Sequence, residues 1–366
     1  MQSPNSDSPK SPAVAPLDRP RRRAKLAAPL ALTALVALGL VSSGCTGIIN
    51  NNPELRWQLF SLFGASKICP EMLKRGVAIR LQDRSPAMGR FFPMQCSYTV
   101  DNSRQVVTVN VAGTGYGYMM PAKRVGFSLT ASVEYRPDFT IAGDDLYLWA
   151  KLNRMVDGPR FQLGYVENPI VDVAANVPGV GGIANFLGNQ AVANAMTQGF
   201  TVIHNEDRGD DFSLGVLYPP QRPHHPFQVT SSERFTFANE TVDVQGNERD
   251  FLGPFEVVKS GQSLYLTLSL TGPAVDVLVV DKATGDAWRD SFQTGKPLGP
   301  PPGPVLNGGP LQPGAADNRR YPLPPGTYYV VIDNTPYAGT VSPVGSLFNP
   351  LNGTMAEISY VAQLGD

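Results

Sequence analysis

The chain has 366 residues with 30 basic and 31 acidic side chains, a formal net charge of −1, three Cys and three His. That balance leaves no basic face for nucleic acid. So few Cys and His, without a Cys-x-x-Cys spacing, argue against a zinc site, and no cofactor or metal is implied. The length allows two domains with cores of their own, and 36 Gly and 34 Pro suit many turns between strands.

Residues 1–18 are polar. A basic cluster follows at Arg19, Arg21, Arg22, Arg23 and Lys25, then an uncharged run from Leu26 to Val41, then Ser42-Ser43-Gly44-Cys45. Basic region, apolar region and small-residue exit, in that order, mark a secretory signal. The apolar run is short for a membrane span of roughly 20 residues, although an uncleaved N-terminal anchor is the alternative. Gly44-Cys45 resembles the end of the bacterial lipobox, with Ser42 where that pattern carries Leu. The resemblance implies a bacterial lipoprotein: signal segment 1–44, acyl attachment at Cys45, and a tether over 45–52. Multiple acyl chains on one residue anchor stably. Thr46 after the Cys, rather than Asp, implies the cell envelope and its outer membrane. Arg21-Arg22 leaves open whether export is general or twin-arginine. Residues 1–44 hold six basic and two acidic side chains, so the remainder is acidic by five.

With Cys45 taken, Cys69 and Cys96 remain. An even pair in an oxidising compartment reads as a disulfide, the alternative being two buried free thiols.

A first domain is expected over 53–222. Pro53-Glu54-Leu55 starts a helix with Leu55, Leu59 and Leu62 on one face and Gly64 as its stop, and a second short helix runs from Glu71 to Arg75. Period two then takes over. Val107, Val109 and Val111 alternate with polar residues, and Val125, Phe127, Leu129, Ala131, Val133 and Tyr135 form a longer stripe. Leu146, Leu148, Ala150 and Leu152 make a third run, Phe161–Tyr165 a fourth and Ile170–Val173 a fifth. The Gly-rich Gly113–Tyr118 lacks a following helix or Lys-Ser/Thr and reads as a turn between strands. A stripe at Val180, Ile183, Leu187, Ala191 and Ala195 predicts a helix over 180–198 that covers the apolar face of the sheet. This α+β order, a long antiparallel sheet covered by a helix, resembles tubular lipid-binding-like periplasmic lipoproteins. The resemblance implies a groove for an acyl chain or isoprenoid, with Phe127, Leu129, Leu148, Ile183 and Leu187 as its candidate lining. A solid core is the competing reading of the same residues.

Tyr218–Pro226 holds four prolines in nine residues and reads as a spacer, His224-His225 included. Over 223–366 short strands and turns predict a β-sandwich. Phe255-Glu256-Val257, Gly261-Gln262-Ser263-Leu264, Val275-Asp276-Val277-Leu278 and Pro325-Gly326-Thr327-Tyr328-Tyr329-Val330-Val331 resemble the bacterial pre-peptidase C-terminal domain. That implies a jelly-roll-like accessory module. Residues 297–316, rich in Pro and Gly, depart from it and read as an unstructured surface loop. Asp276 and Asp281 read as turn residues, with calcium ligation as the alternative.

The chain carries neither a Gly-x-Ser-x-Gly elbow nor a His-Glu-x-x-His helix. The expectation is therefore a mostly β, non-catalytic envelope lipoprotein that acts by binding or interaction at the membrane surface. The alternative is a carrier of lipid or another hydrophobic ligand in the N-terminal groove. Its expected partners are the membrane through Cys45, a lipid or other hydrophobic ligand, and an envelope protein or polysaccharide.

Overall fold

The period-two alternation folds into strands that are longer and more continuous than the sequence runs suggest. A computed structural model describes residues 43–80, 85–168, 197–205, 209–229, 234–341 and 355–366. Met1–Cys45 and Thr46–Asp366 are separate units. The chain is mostly β. Strands β1 (Val77–Ile79), β2 (Gly89–Asp101), β3 (Val106–Met119), β4 (Lys123–Ala142), β5 (Asp145–Val166), β6 (Phe200–Asn205) and β7 (Gly209–Leu214) form one sheet in chain order. Every neighbouring pair is antiparallel.

Two of the expected strands are one. Leu146–Leu152 and Phe161–Tyr165 lie on the single strand β5, because bulges opposite Thr130–Tyr135 absorb the break in alternation. The Gly-rich stretch is likewise no turn: Gly113, Gly115 and Gly117 sit within β3. A Cβ on Gly113 would strike the Phe92 carbonyl oxygen, and one on Gly115 would strike the Phe127 ring. These glycines admit a neighbouring backbone and a buried ring.

Ahead of the sheet run α1 (Ser43–Asn51), α2 (Pro53–Leu59) and α3 (Ile68–Leu73). Asn52 caps α2 by accepting from the Leu55 amide at 3.1 Å. Gly64 does not stop the helix as expected. The chain continues through a π turn, Phe60–Gly64, and a 3₁₀ turn, Ala65–Lys67, into α3. Gly64 remains right-handed at φ −77°, so the left-handed stop is not used. Asn50 fastens α1 to the end of β4, donating to the Ile141 carbonyl at 2.9 Å and accepting from its amide at 3.0 Å. Cys69 on α3 and Cys96 on β2 form a disulfide with Cα atoms 5.3 Å apart.

The expected α+β arrangement does not stand as drawn. The helix expected over 180–198 and the strand over 170–173 lie outside the described residues, apart from 197–198. Among the described residues, Trp57, Phe60, Ile68 and Met72 of the N-terminal helical segment join Val107, Val109, Phe127, Leu129 and Val133 in one core on the sheet. Among the described residues no helix is long and apolar enough to cross a membrane.

The remaining strands are β8 (Phe235–Val244), β9 (Glu248–Val257), β10 (Ser263–Thr271), β11 (Val275–Asp281), β12 (Val305–Leu311), β13 (Asp317–Pro322), β14 (Gly326–Asn334) and β15 (Ala356–Gly365). They form two four-stranded antiparallel sheets, ordered β13-β10-β15-β8 and β12-β11-β14-β9. A shared core lies between them, with Leu264, Leu266, Ile358 and Tyr360 from one sheet and Val275, Val277, Val330 and Ile332 from the other. The loop expected at 297–316 contains β12, which pairs with β11. As a sheet-edge strand its side chains are mostly exposed, so it needs no apolar period. Asp281, read as a turn residue, instead opens helix α4 (Lys282–Gln293). Asp281 accepts from the Thr284 amide at 2.7 Å as its cap, and Trp288 and Phe292 bury one turn apart.

The expected boundary at 222/223 is crossed by buried contacts. Phe92 and Tyr116 of the first sheet share a core with Phe251, Trp288, Phe292 and Tyr329. Beside it Arg90, fully buried, meets Asp250 at 2.8 Å, Glu240 at 3.0 Å and the Tyr360 hydroxyl at 2.5 Å. The Tyr116 hydroxyl donates to Asp250 at 2.9 Å and accepts from the Phe251 amide at 2.8 Å.

Candidate functional site

Between the first sheet, the N-terminal helical segment and β8 lies a cavity of about 740 Å³. Strand register orders its floor. Val107 on β3 stands opposite Tyr135 on β4, Pro137 opposite Ala150 on β5, and Ala150 and Leu148 opposite Phe200 and Val202 on β6. All of these line the cavity, as do Phe60, Ile68 and Met72 from above. The floor is therefore apolar from β3 to the start of β6. Burial pushes the Tyr135 phenol up to about 12, so it presents a neutral ring and hydroxyl.

The other end is polar. His204, next to last on β6, stands opposite Leu146, and Asp211 and Ser213 contribute from β7. The chain at 222–226 runs along this rim as a strap, and 236–241 of β8 forms the facing wall. Arg222 is ion-paired with Asp145, and its guanidinium lies 5.7 Å from the Tyr147 ring centre. His225 Nδ1 is 3.0 Å from the Asn239 carbonyl oxygen, and its Nε2 is 3.3 Å from Asp211 Oδ1. Burial works against protonation of this imidazole. Asp211, the Asn239 carbonyl and Glu240 outweigh it and raise its pKa above the usual 6.5.

On the β8 wall, burial opposes ionisation of Glu240. Arg90 and then Arg80 prevail and hold it below its ordinary value. Arg80 reaches Glu240 at 3.6 Å and donates to the Ser85 carbonyl at 2.8 Å. Arg75 donates to the Phe237 carbonyl. An apolar floor with a charged rim at one end suits a molecule with an apolar body and a polar head. The volume falls within the roughly 300–1,000 Å³ of small-molecule sites. Among the described residues no group of three or more His, Cys, Asp or Glu is placed to hold a metal ion.

Of the groove residues expected from sequence, Leu148 lines the cavity. Phe127 and Leu129 do not. They are buried in the core, where the Phe127 ring stacks 6.4 Å from Phe91 and 4.8 Å from Phe161. Their stretch of β4 lies beyond the point where the cavity floor crosses that strand. Ile183 and Leu187 lie outside the described residues. Cys45 is the third residue of α1. The strap is the feature that sequence reading passed over. His224 and His225 were read as spacer, yet two of three histidines in one Pro-rich stretch is the signal that marks it.

No protein-family model and no curated protein matches the chain. Among solved structures, it is similar to a glycoside hydrolase family 43 arabinoxylan arabinofuranohydrolase from Bacillus subtilis in complex with cellotetraose. The identity is 8%, covering 74% of this chain and 66% of that one, with a TM-score of 0.20. A likeness of that size assigns no activity here. Because that neighbour is an enzyme, however, the expected exclusion of catalysis is withdrawn.

Proposed function

We propose that the protein is a bacterial envelope lipoprotein, anchored by acyl chains on Cys45 at the outer membrane, that binds an amphiphile in the cavity between its first sheet and β8. The observation that carries this reading is the cavity itself, with an apolar floor over β3–β6 and charged residues at one rim. Burying an acyl chain there contributes about 25 cal/mol per Å² of apolar surface removed from water. The strap end, with Arg222, His225 and Asp211, receives the polar head.

The two four-stranded sheets support a jelly-roll-like second module. Successive strands β8 to β11 alternate between the sheets, and the order β13-β10-β15-β8 over β12-β11-β14-β9 is that of two Greek keys. A second reading, docking of a polysaccharide or envelope protein, is supported by one feature of this module. The Tyr265 ring meets two guanidiniums, Arg234 at 3.6 Å and Arg320 at 5.4 Å from its centre.

Mass spectrometry of the protein purified from the envelope tests both parts. Acyl mass on the peptide beginning at Cys45, lost in Cys45→Ser, is expected. So is a non-covalent mass of lipid size, removed by solvent extraction and reduced in Leu148→Trp, which puts a larger side chain on the cavity floor. An unmodified Cys45 refutes the anchor. A clean native mass in both proteins refutes the amphiphile and turns the search to the Arg234–Tyr265–Arg320 face.

A further inference from the structure

We propose that the strap at 222–226 is a proton-operated latch on the cavity: doubly protonated His225 ties it across the rim to β7 and β8, and loss of one proton frees it. That the latch serves a ligand rests on the binding reading above. The latch itself rests on geometry.

Both atoms that His225 faces are acceptors. Nδ1 is within hydrogen-bond reach of a backbone carbonyl, Asn239 O, at 3.0 Å, and Nε2 makes an ion-pair contact, not a hydrogen bond, with a carboxylate oxygen of Asp211 at 3.3 Å. A neutral imidazole has one N–H and one lone pair. It satisfies one of these partners and turns a lone pair on the other. Only the imidazolium serves both, so this one ring spans two strands, β7 and β8, only when charged.

The surrounding charges agree. Asp211 faces the ring from β7, and Glu240 adds negative potential from β8. Glu240 is itself engaged by Arg80 and Arg90. His204 lines the same cavity from β6. On the strap, Arg222 is turned to Asp145 and His224 is exposed. The upward shift of the His225 pKa gives the sign. The tie is complete below about 6.5, the ordinary value, and is lost as pH rises through the folded value.

Release is confined to a few residues. At one end Arg222 is held by its ion pair with Asp145. At the other, Asn239 Nδ2 donates to the Phe227 carbonyl at 2.8 Å, and its Oδ1 accepts from the Phe227 amide at 3.4 Å. Between these fixed points His225 is the side chain that ties the strap to both walls. The strap opens as a short flap while both cores stay in place.

The test uses the full chain in detergent micelles with ¹³C-labelled histidine, whose three resonances are assigned by His→Gln variants. His225 is expected to titrate above 6.5 and to fall in Asp211→Asn. Hydrogen exchange of the peptide spanning the strap, corrected for the intrinsic pH dependence, is expected to rise about tenfold across that titration. In His225→Gln it is expected to be fast at every pH. Dissociation of a fluorescent fatty-acid probe is expected to accelerate with the same midpoint. A His225 that titrates at or below the ordinary value, or strap exchange indifferent to pH, overturns the latch. If the strap responds but the probe never binds, the latch stands and the amphiphile reading falls.

Discussion

Removing the Arg90 side chain perturbs the seam between the first sheet and the sandwich most directly. Its guanidinium grips Asp250 through Nε and Nη2, both at 2.8 Å, and reaches Glu240 at 3.0 Å. The side chain is fully buried and Asp250 nearly so. Arg90→Ala leaves buried Asp250 without its counter-charge and Glu240 with Arg80 alone, at 3.6 Å. Breaking a buried pair by removing one partner costs about 3–5 kcal/mol. At an unfolding entropy of about 2.1 cal/mol/K per residue over the unit Thr46–Asp366, that lowers Tm by roughly 4–7 °C. Arg90→Lys keeps the charge but loses the two-pronged grip and is expected to fall between. The combined variant Arg90→Met, Glu240→Gln, Asp250→Asn removes the uncompensated charge and is expected to recover most of the loss. Thermal and urea unfolding followed by circular dichroism reads all three. An Arg90→Ala protein within about 1 kcal/mol of wild type, or a combined variant no better than the single one, would refute a buried ionic seam. The same seam sets an acid limit. Glu240 is held below its ordinary 4.5, so its contribution is present above that value and is lost as pH falls through the folded one.

Three further outcomes follow from local geometry. Reducing Cys69–Cys96, which closes a sequence separation of 27, is expected to cost about 3.5 kcal/mol by chain entropy; equal urea midpoints with and without reductant would contradict it. Gly115→Ala places a methyl against the Phe127 ring and 2.5 Å from the Arg90 carbonyl oxygen, which should destabilise by about 1–3 kcal/mol. A change in urea midpoint near zero would mean that the β3 glycines serve no close approach. Asp243 is raised to about 6 by burial and then by Glu357. Stability should therefore fall as pH rises from about 4 to about 6, and Asp243→Asn should flatten that part of the Tm–pH curve; a wild-type curve already flat there would sink the assignment.

The sheet strands were legible because alternation is written directly in the residues. The stripe from Val125 to Tyr135 lies on β4 as read, and its members are buried. The joins were not legible. Bulges carry β5 past Asp157-Gly158-Pro159, where alternation fails, and pairing of the edge strand β12 leaves no apolar signature. Helix α4 did leave a signature, an Asp281 cap with Trp288 and Phe292 at helical spacing, but its opening reads equally as a turn. The cavity was half legible. Leu148 points to it, whereas the step that takes Phe127 out of it depends on where the floor crosses β4. His225 escaped because its two partners, Asp211 and Asn239, are distant in sequence and carry no motif.

The aromatic core shared across residue 222 has a consequence for how this polypeptide can be inherited or cut. Phe92 and Tyr116 come from one side of the strap, and Phe251, Trp288, Phe292 and Tyr329 from the other. A gene split at the strap would yield two fragments, each with a wall of rings turned to water, at roughly 150–250 Å² of buried surface forfeited per ring. A protease nick at the same place would leave both pieces clasped in one particle. The prolines look like a seam, yet Thr46–Asp366 packs as one compact unit.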